Sequence, residues 1–193
     1  MPGIESIPAP DALRDLPQIA QLFVIGEPSL LDQLALALFC SVKCPASVIL
    51  KTYDLAQRLK DRPEPVISGF HSPIEKEVLV TLLRGTVPII MCPARSIHNM
   101  RIPTDWKSAI EAERLLIVSP FAEAQNRPMA KTAEIRNQMV AHLANEVFIA
   151  YAASEGKTEA FARQLLADNR SILTFDTASN RNLLEAGAET LTT

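Results

Sequence analysis

The sequence predicts a single α/β domain of the Rossmann-like, doubly wound type, in which a mostly parallel sheet carries helices on both faces. Short apolar runs alternate with amphipathic helical stretches, and the runs Val87–Cys92 and Val147–Tyr151 are apolar throughout. Strands that are apolar on both sides are typical of sheets covered on both faces by helices. A length of 193 residues suits one well-buried domain.

The elements follow in chain order. Residues 1–20 are rich in proline and show little periodicity, so they are predicted to be an irregular arm before a domain of residues 21–193. The predicted strands are Gln21–Ile25, Leu36–Val42, Pro65–Ser68, Val87–Cys92, Leu115–Ser119, Val147–Ala152 and Ser171–Thr174. The helical patterns are Ala46–Lys60, Ile74–Arg84, Glu134–Leu143 and Thr158–Asp168. Two long loops are expected, Asn99–Trp106 and Phe121–Lys131, both bordering the crevice beyond the carboxyl ends of the strands.

Composition excludes several classes of protein. Apolar residues make up 48% of the chain and charged residues 21%, which is typical of a globular domain and not of a disordered one. The net charge of −3 gives no general attraction to nucleic acid, so DNA binding requires a local basic patch. No apolar run approaches the ~20 residues that cross a bilayer, and the start of the chain lacks a secretory pattern, so we expect a cytoplasmic protein with no membrane partner. Three cysteines without a paired Cys/His pattern predict reduced thiols, no metal site and no cofactor.

The most informative segment joins the strand that ends at Ser68 to a helix. Ser72 can cap that helix, Pro73 suits its first position, and Glu75 completes a capping box. Unpaired N–H groups at a helix start favour an anion near Ser68 to Ser72, although an ordinary capped turn explains the same pattern. His71 lies within the turn, where its ring would serve either an anion or simple packing.

A second junction of this kind follows the strand that ends at Ala152. Gly156 permits close approach of the backbone, and Thr158 can cap the next helix or bond a phosphate oxygen. The segment is not an ATP-binding P-loop, because the earlier glycine that such a loop requires is replaced by Ala152 or Ala153. Ser68 likewise lacks the Gly-x-Ser-x-Gly elbow of hydrolases.

Basic residues recur just after the predicted strands and would share one rim of a parallel sheet: Lys43, Arg95, Arg101, Arg127, Lys131 and Lys157, with Arg136 early in a helix. Such a rim can bind a phosphorylated ligand or single-stranded DNA, although loops also carry charge for solubility alone.

Several blocks, in order, resemble the DNA-processing protein A (DprA/Smf) family over about residues 20–189. Leu38-Phe-Cys-Ser-Val-Lys is similar to a strand and Gly-Ser-Arg turn, with Cys40 and Val42 in place of the glycine and arginine. Val66-Ile-Ser-Gly-Phe resembles Val-Val-Ser-Gly-Leu, Arg136-Asn137-Gln-Met resembles the start of an Arg-Asn-Arg-Ile helix, and Asn182-Leu-Leu-Glu-Ala-Gly-Ala resembles a closing Asn-x-Leu-Ile-x-x-Gly-Ala.

The resemblance implies a Rossmann-like recombination mediator that acts in DNA recombination and natural transformation. It implies a head-to-tail homodimer, a RecA-type recombinase as partner, and a basic pocket for the backbone of single-stranded DNA. The matching pocket positions are Ser41, Lys43, Ser68, Gly69, Arg136 and Asn137.

A fainter resemblance concerns the lysine-decarboxylase-like (LOG) group of the same superfamily. Arg136 and Met139, followed after a strand by Glu155-Gly-Lys-Thr-Glu, are similar to its Arg-x-x-Met and Pro-Gly-Gly-x-Gly-Thr-x-x-Glu. That resemblance implies a nucleotide sensor or a nucleotide phosphoribohydrolase in which Arg136 binds phosphate and Glu159 assists cleavage of the N-glycosidic bond.

The sequence therefore predicts a binding protein for single-stranded DNA or a nucleotide, without a catalytic group unless the LOG-like alternative holds. The predicted phosphate contacts are Ser41, Lys43, Ser68, Gly69, His71, Ser72, Arg136, Asn137, Gly156, Lys157 and Thr158.

Overall fold

The computed structural model describes residues 3–191, and these form one nine-stranded sheet with helices on both faces. The strands are β1 (Glu5–Pro8), β2 (Gln21–Ile25), β3 (Leu36–Cys40), β4 (Val66–Ser68), β5 (Ile89–Met91), β6 (Leu115–Ser119), β7 (Glu146–Tyr151), β8 (Ile172–Thr174) and β9 (Glu189–Thr190). The helices are α1 (Ala46–Leu59), α2 (Pro73–Leu83), α3 (Thr104–Glu111), α4 (Ala130–Leu143), α5 (Lys157–Ala167) and α6 (Arg181–Glu185). Short 3₁₀ helices occupy Asp11–Leu13, Pro28–Asp32 and Ala178–Asn180.

The sheet has the order β1-β2-β6-β5-β4-β3-β7-β8-β9. Strands β3 to β9 are parallel to their neighbours, whereas β1 and β2 add an antiparallel edge beside β6. The chain moves outward from β3 to β6 and then returns to the other side of β3 with β7. The point at which the strand order reverses therefore lies between β3 and β7. The predicted Rossmann-like, mostly parallel fold is confirmed.

Each face of the sheet has its own core. Helices α1, α2 and α3 cover one face through Val48, Leu55, Val78, Leu82 and Ile110. Helices α4, α5 and α6 cover the other face through Met139, Val140, Leu165 and Leu183. The central strands contribute alternate residues to the two cores, which explains why their sequences are apolar throughout. None of the helices within residues 3–191 is long and apolar enough to cross a membrane.

The N-terminal segment is more regular than its sequence indicates. Glu5–Pro8 forms a strand that pairs with β2, and Leu13, Leu16 and Ile19 are buried in the core beneath α4 and α5. The prediction of an irregular arm is therefore wrong for Glu5–Pro8, while residues 1 and 2 lie outside the described residues. Pairing with β2 and burial of three apolar side chains stabilise a conformation for which the local sequence gives little preference.

The two predicted loops both end earlier in the chain than expected. The first ends at Pro103, because α3 begins at Thr104, and the second ends at Met129, because α4 begins at Ala130. Helix α3 has only eight residues, which is too short for a clear helical period.

Candidate functional site

The carboxyl ends of β3 and β7 meet where the strand order reverses, and Ser41 connects them. Its backbone N–H donates to the Tyr151 carbonyl oxygen at 2.9 Å, and its hydroxyl oxygen accepts from the Ala153 N–H at 3.0 Å. Lys43, two residues later, is exposed. Crevices at such reversal points are the usual ligand sites of open α/β sheets.

The end of β4 lies at the same edge of the sheet and is joined to β3 by the side chain of Ser68. The Ser68 hydroxyl donates to the Leu38 carbonyl oxygen at 2.7 Å and accepts from the Phe70 N–H at 3.2 Å. Ser68 is fully buried, and Phe70 adopts a positive φ of 44° to complete the turn. The Ser68 hydroxyl thus fastens β4 to β3.

Helix α2 begins with the predicted capping box, which is confirmed. The Ser72 hydroxyl accepts from the Glu75 N–H at 3.3 Å, and the Glu75 carboxylate accepts from the Ser72 N–H at 3.1 Å. The same carboxylate also accepts from the His71 N–H at 2.7 Å and the Cys40 N–H at 2.8 Å. Two backbone donors of the turn predicted to hold an anion, together with the N–H at the end of β3, therefore already bind a buried carboxylate of the chain itself.

Arg136 reaches this edge from α4 and lies across Gly69. Its side chain is only 5% exposed, and Nη1 donates to the Cys92 carbonyl oxygen at 3.0 Å. Nε donates to Oδ1 of Asn137 at 2.8 Å, which fixes the orientation of that amide. Burial lowers the pKa of the Arg136 guanidinium, while the nearby Glu75 carboxylate raises it.

Gly69 is required by this packing. A Cβ atom at position 69 would lie 1.0 Å from Nη1 of Arg136 and 2.0 Å from its Cζ. Nη2 of Arg136 donates a hydrogen bond to none of the described residues, so it is the part of the guanidinium that remains available to an anion.

At the β7–α5 junction, Gly156 precedes a helix that has no side-chain cap. Glu159 is already engaged: it accepts from the Glu155 N–H at 2.6 Å and from Nη2 of Arg163 at 2.9 Å. The Arg163 hydrogen bond, followed by that of the Glu155 N–H, holds the pKa of Glu159 below its usual range. These hydrogen bonds fix the Glu159 carboxylate at the start of α5.

The predicted residues lie in three groups, the last of which is Gly156 alone. Ser41, Ser68, Gly69, Ser72 and Arg136 cluster at the ends of β3, β4 and β5, with the exposed side chains of Lys43 and His71 on the adjoining turns. Asn137, Lys157 and Thr158 instead line a cavity of about 440 Å³ between α4 and α5. Gly156 borders a separate shallow cavity with Glu155 and Glu159. The hydrogen bond from Arg136 to Asn137 joins the first two groups.

Sequence reasoning did not identify two members of the first group. Glu75 was recognised only as part of the capping box, although it also binds a donor 35 residues away. Cys92 provides the carbonyl oxygen for Arg136, and burial raises the pKa of its own thiol to about 12. Cys40, Cys44 and Cys92 are all free thiols, as predicted.

Comparison with known proteins decides the family. The model of the family described as DNA recombination-mediator protein A matches residues 6–193. The chain belongs to this family.

Solved structures of the family share the fold. DNA processing protein A (DprA) from Streptococcus pneumoniae has a TM-score of 0.77 at 18% identity, covering 98% of this chain and 71% of that one. DNA processing protein A from Helicobacter pylori, whose structure is described in terms of its single-stranded DNA binding mode, has a TM-score of 0.81 at 21% identity, covering 100% of this chain and 92% of that one. No curated protein matches the sequence significantly.

Proposed function

We propose that this chain, as a recombination-mediator-like protein, binds single-stranded DNA through phosphate contacts at the carboxyl edge of its sheet. The proposal is supported by the position of exposed cations in the segments that follow the strands at this edge. Lys43 follows β3, Arg127 follows β6 and Lys157 follows β7, in a chain whose net charge is −3. These cations surround the point between β3 and β7 at which the strand order reverses, and cations in this position can neutralise the phosphates of a DNA backbone.

The proposed phosphate contacts at this edge are of three types: flexible lysine side chains, backbone N–H groups at a helix start, and side-chain donors held in place by hydrogen bonds. Lys43 and Lys157 supply mobile charges, and the uncapped start of α5 supplies backbone N–H groups near Thr158. Nη2 of Arg136 and the amide NH₂ of Asn137 supply fixed donors, because the remaining atoms of these side chains are held by each other and by Cys92. The start of α2 contributes less, since Glu75 occupies its donors.

Family membership supports the proposal, and the Helicobacter pylori relative is described as binding single-stranded DNA. The expected mechanism is binding without turnover. A RecA-type recombinase partner and a homodimer stay predictions; co-purification and a size measurement by light scattering test them.

Fluorescence anisotropy of labelled oligo-dT, at low and moderate salt and with free mononucleotides as competitors, tests the proposal. Binding that weakens steeply with salt and that mononucleotides do not displace is the expected result. Absence of oligonucleotide binding, with a melting temperature raised by a free nucleotide, would instead identify a nucleotide sensor or a LOG-like enzyme.

A further inference from the structure

An apolar cavity of about 270 Å³ opens at the amino edge of the sheet, where β3, β4 and β7 begin. This edge lies opposite the proposed phosphate contacts. Leu36 and Val66, the first residues of β3 and β4, line the cavity together with Leu59 at the end of α1. Its volume lies below that of pockets for small ligands, roughly 300–1,000 Å³. The cavity therefore suits one large apolar side chain better than a whole cofactor.

Leu34 extends the apolar surface out of this cavity. It is 68% exposed, although the next residue, Ala35, is buried. Leu34 also lines an adjoining cavity of about 610 Å³, whose lining is mostly polar. Single exposed leucines are common on protein surfaces, but this one lies between two cavities and borders an apolar one. Burial of Leu34 against another molecule would remove apolar surface from water, which favours association.

Carboxylates without ion-pair partners surround Leu34. Glu146 lines the apolar cavity, Asp11 and Asp32 line the adjoining one, and all three residues are exposed. Within residues 3–191, none of these three carboxylates forms an ion pair. They are therefore available to cations from another molecule.

The three arginines that line the same two cavities are already engaged. Arg62 pairs with Glu64 at 3.2 Å, and Arg14 lies 4.0 Å from Asp15. Nη2 of Arg170 donates to two carbonyl oxygens at the end of α4, each at 2.7 Å. Helices α1 and α4 both end beside these cavities, and the carboxyl end of a helix carries partial negative charge. The surface around Leu34 thus combines an apolar centre with a negative surround.

We propose that this surface binds a basic segment of a partner protein. One large apolar side chain of the segment fills the cavity beside Leu34, and neighbouring Lys or Arg side chains pair with Asp11, Asp32 and Glu146. An acidic segment would meet like charges here, which disfavours its association. The proposal is independent of DNA binding, because these residues lie at the edge opposite the proposed phosphate contacts.

A peptide array tests the chemistry of the partner. The probes are nine-residue peptides with a central leucine, phenylalanine or alanine and with lysines at varied flanking positions, beside a matched set that carries glutamate in place of lysine. We expect the protein to bind lysine peptides with a central leucine or phenylalanine, and neither the alanine peptides nor the glutamate set. Absence of binding to every lysine peptide, or equal binding to those with a central alanine, would overturn the proposal.

Variants test the position of the bound peptide, by anisotropy with the labelled lysine peptide that binds most tightly. Leu34→Ser should weaken binding by roughly tenfold, the effect of one lost apolar contact. Leu50→Ser is the matched control, at a leucine that is 66% exposed and lies roughly 14 Å from Leu59 along α1. Equal effects of the two variants would place the peptide elsewhere and overturn the proposed site.

The charged contacts are tested in the same assay at low salt. Asp32→Asn should weaken peptide binding by roughly twofold, the usual effect of one exposed ion pair. Asp54→Asn removes an exposed carboxylate from α1, outside both cavities, and should leave binding unchanged. Equal weakening by both variants would show general attraction of a basic peptide to an acidic protein, and would contradict specific pairing at Asp32.

Light scattering distinguishes a partner protein from a second copy of this chain. Dissociation of a wild-type oligomer by Leu34→Ser would assign the surface to a second copy and overturn the proposal, whereas an unchanged size supports it. Urea unfolding checks that Leu34→Ser is folded, as expected for a change at an exposed residue. Oligo-dT binding by this variant should equal that of the wild type, so failure of this proposal is distinguished from failure of the proposed function.

Discussion

Two buried charges of opposite sign determine the shape of the carboxyl edge. Arg136 lies over Gly69 and bonds the carbonyl oxygen of Cys92, while Glu75 collects N–H groups from the β3 and β4 turns. Buried charges are stable only when their hydrogen-bonding capacity is largely used, so each residue fixes the backbone around it. These hydrogen bonds therefore join the turns that follow β3, β4 and β5.

Gly69→Ala tests the contribution of Arg136. The new Cβ would overlap Nη1, so the guanidinium must leave its position and release the Cys92 carbonyl oxygen. Losing a buried hydrogen bond from a charged group costs about 2 kcal/mol in the free energy of unfolding, measurable by urea denaturation. Gly3→Ala is the control, because a Cβ there meets nothing within 4 Å. Equal stability of the two variants would contradict the prediction.

Glu75→Gln tests the other charge. An amide keeps one acceptor oxygen but places an NH₂ group against backbone donors of Cys40, His71 or Ser72. We expect the free energy of unfolding to fall by about 2–3 kcal/mol, because buried donors lose their acceptor. Glu77→Gln, on an exposed position of the same helix, should stay within about 0.5 kcal/mol of the wild type. A small effect at Glu75 would show that the turn does not depend on the charge.

Much of the sheet could be predicted from local sequence. The apolar runs of β2 and β6 are found with their predicted ends, Gln21–Ile25 and Leu115–Ser119. Strand β1 could not be predicted in this way, because Glu5–Pro8 contains one apolar residue between polar residues and proline, and its pairing partner begins 13 residues later.

The candidate site was predicted less completely, because its contacts also join residues that are far apart in sequence. Local signals identified Ser72, Gly69 and Arg136, but their actual partners lie far away in sequence. Cys92 accepts from an arginine 44 residues later, and no local pattern indicates that contact. The capping box did identify Glu75, yet only the fold brings the Cys40 N–H to the same carboxylate.

The N-terminal segment behaves as an element of the fold. Leu13 is 1% exposed and packs in the core shared with α4 and α5. Leu13→Ala should lower the free energy of unfolding by about 2–4 kcal/mol in urea, through lost burial and a residual cavity. Leu34→Ala, at a leucine that is 68% exposed, should change it little. If both variants were equally stable, the segment would not belong to the cooperative unit.

At the scale of the whole molecule, the distribution of charge matters more than its sum. The chain carries 19 basic and 22 acidic residues, so its overall field opposes a polyanion, and the proposed DNA binding requires a local group of cations. For single strands, the logarithm of the binding constant falls with the logarithm of salt concentration by about 0.7 for each neutralised phosphate. The slope therefore counts the cations that bind phosphate.

Lys43→Gln and Lys157→Gln should each weaken oligo-dT binding and reduce the salt slope by about 0.7, because each removes one proposed phosphate contact. Arg84→Gln removes an exposed cation directly after α2, at the opposite edge of the sheet, and should leave the slope unchanged. The comparison distinguishes local phosphate contacts from general electrostatic attraction. If general attraction dominated, all three variants would change the salt slope equally, because each lowers the net charge by the same amount. Equal slopes for Lys43→Gln, Lys157→Gln and the wild type would place the DNA elsewhere on the protein.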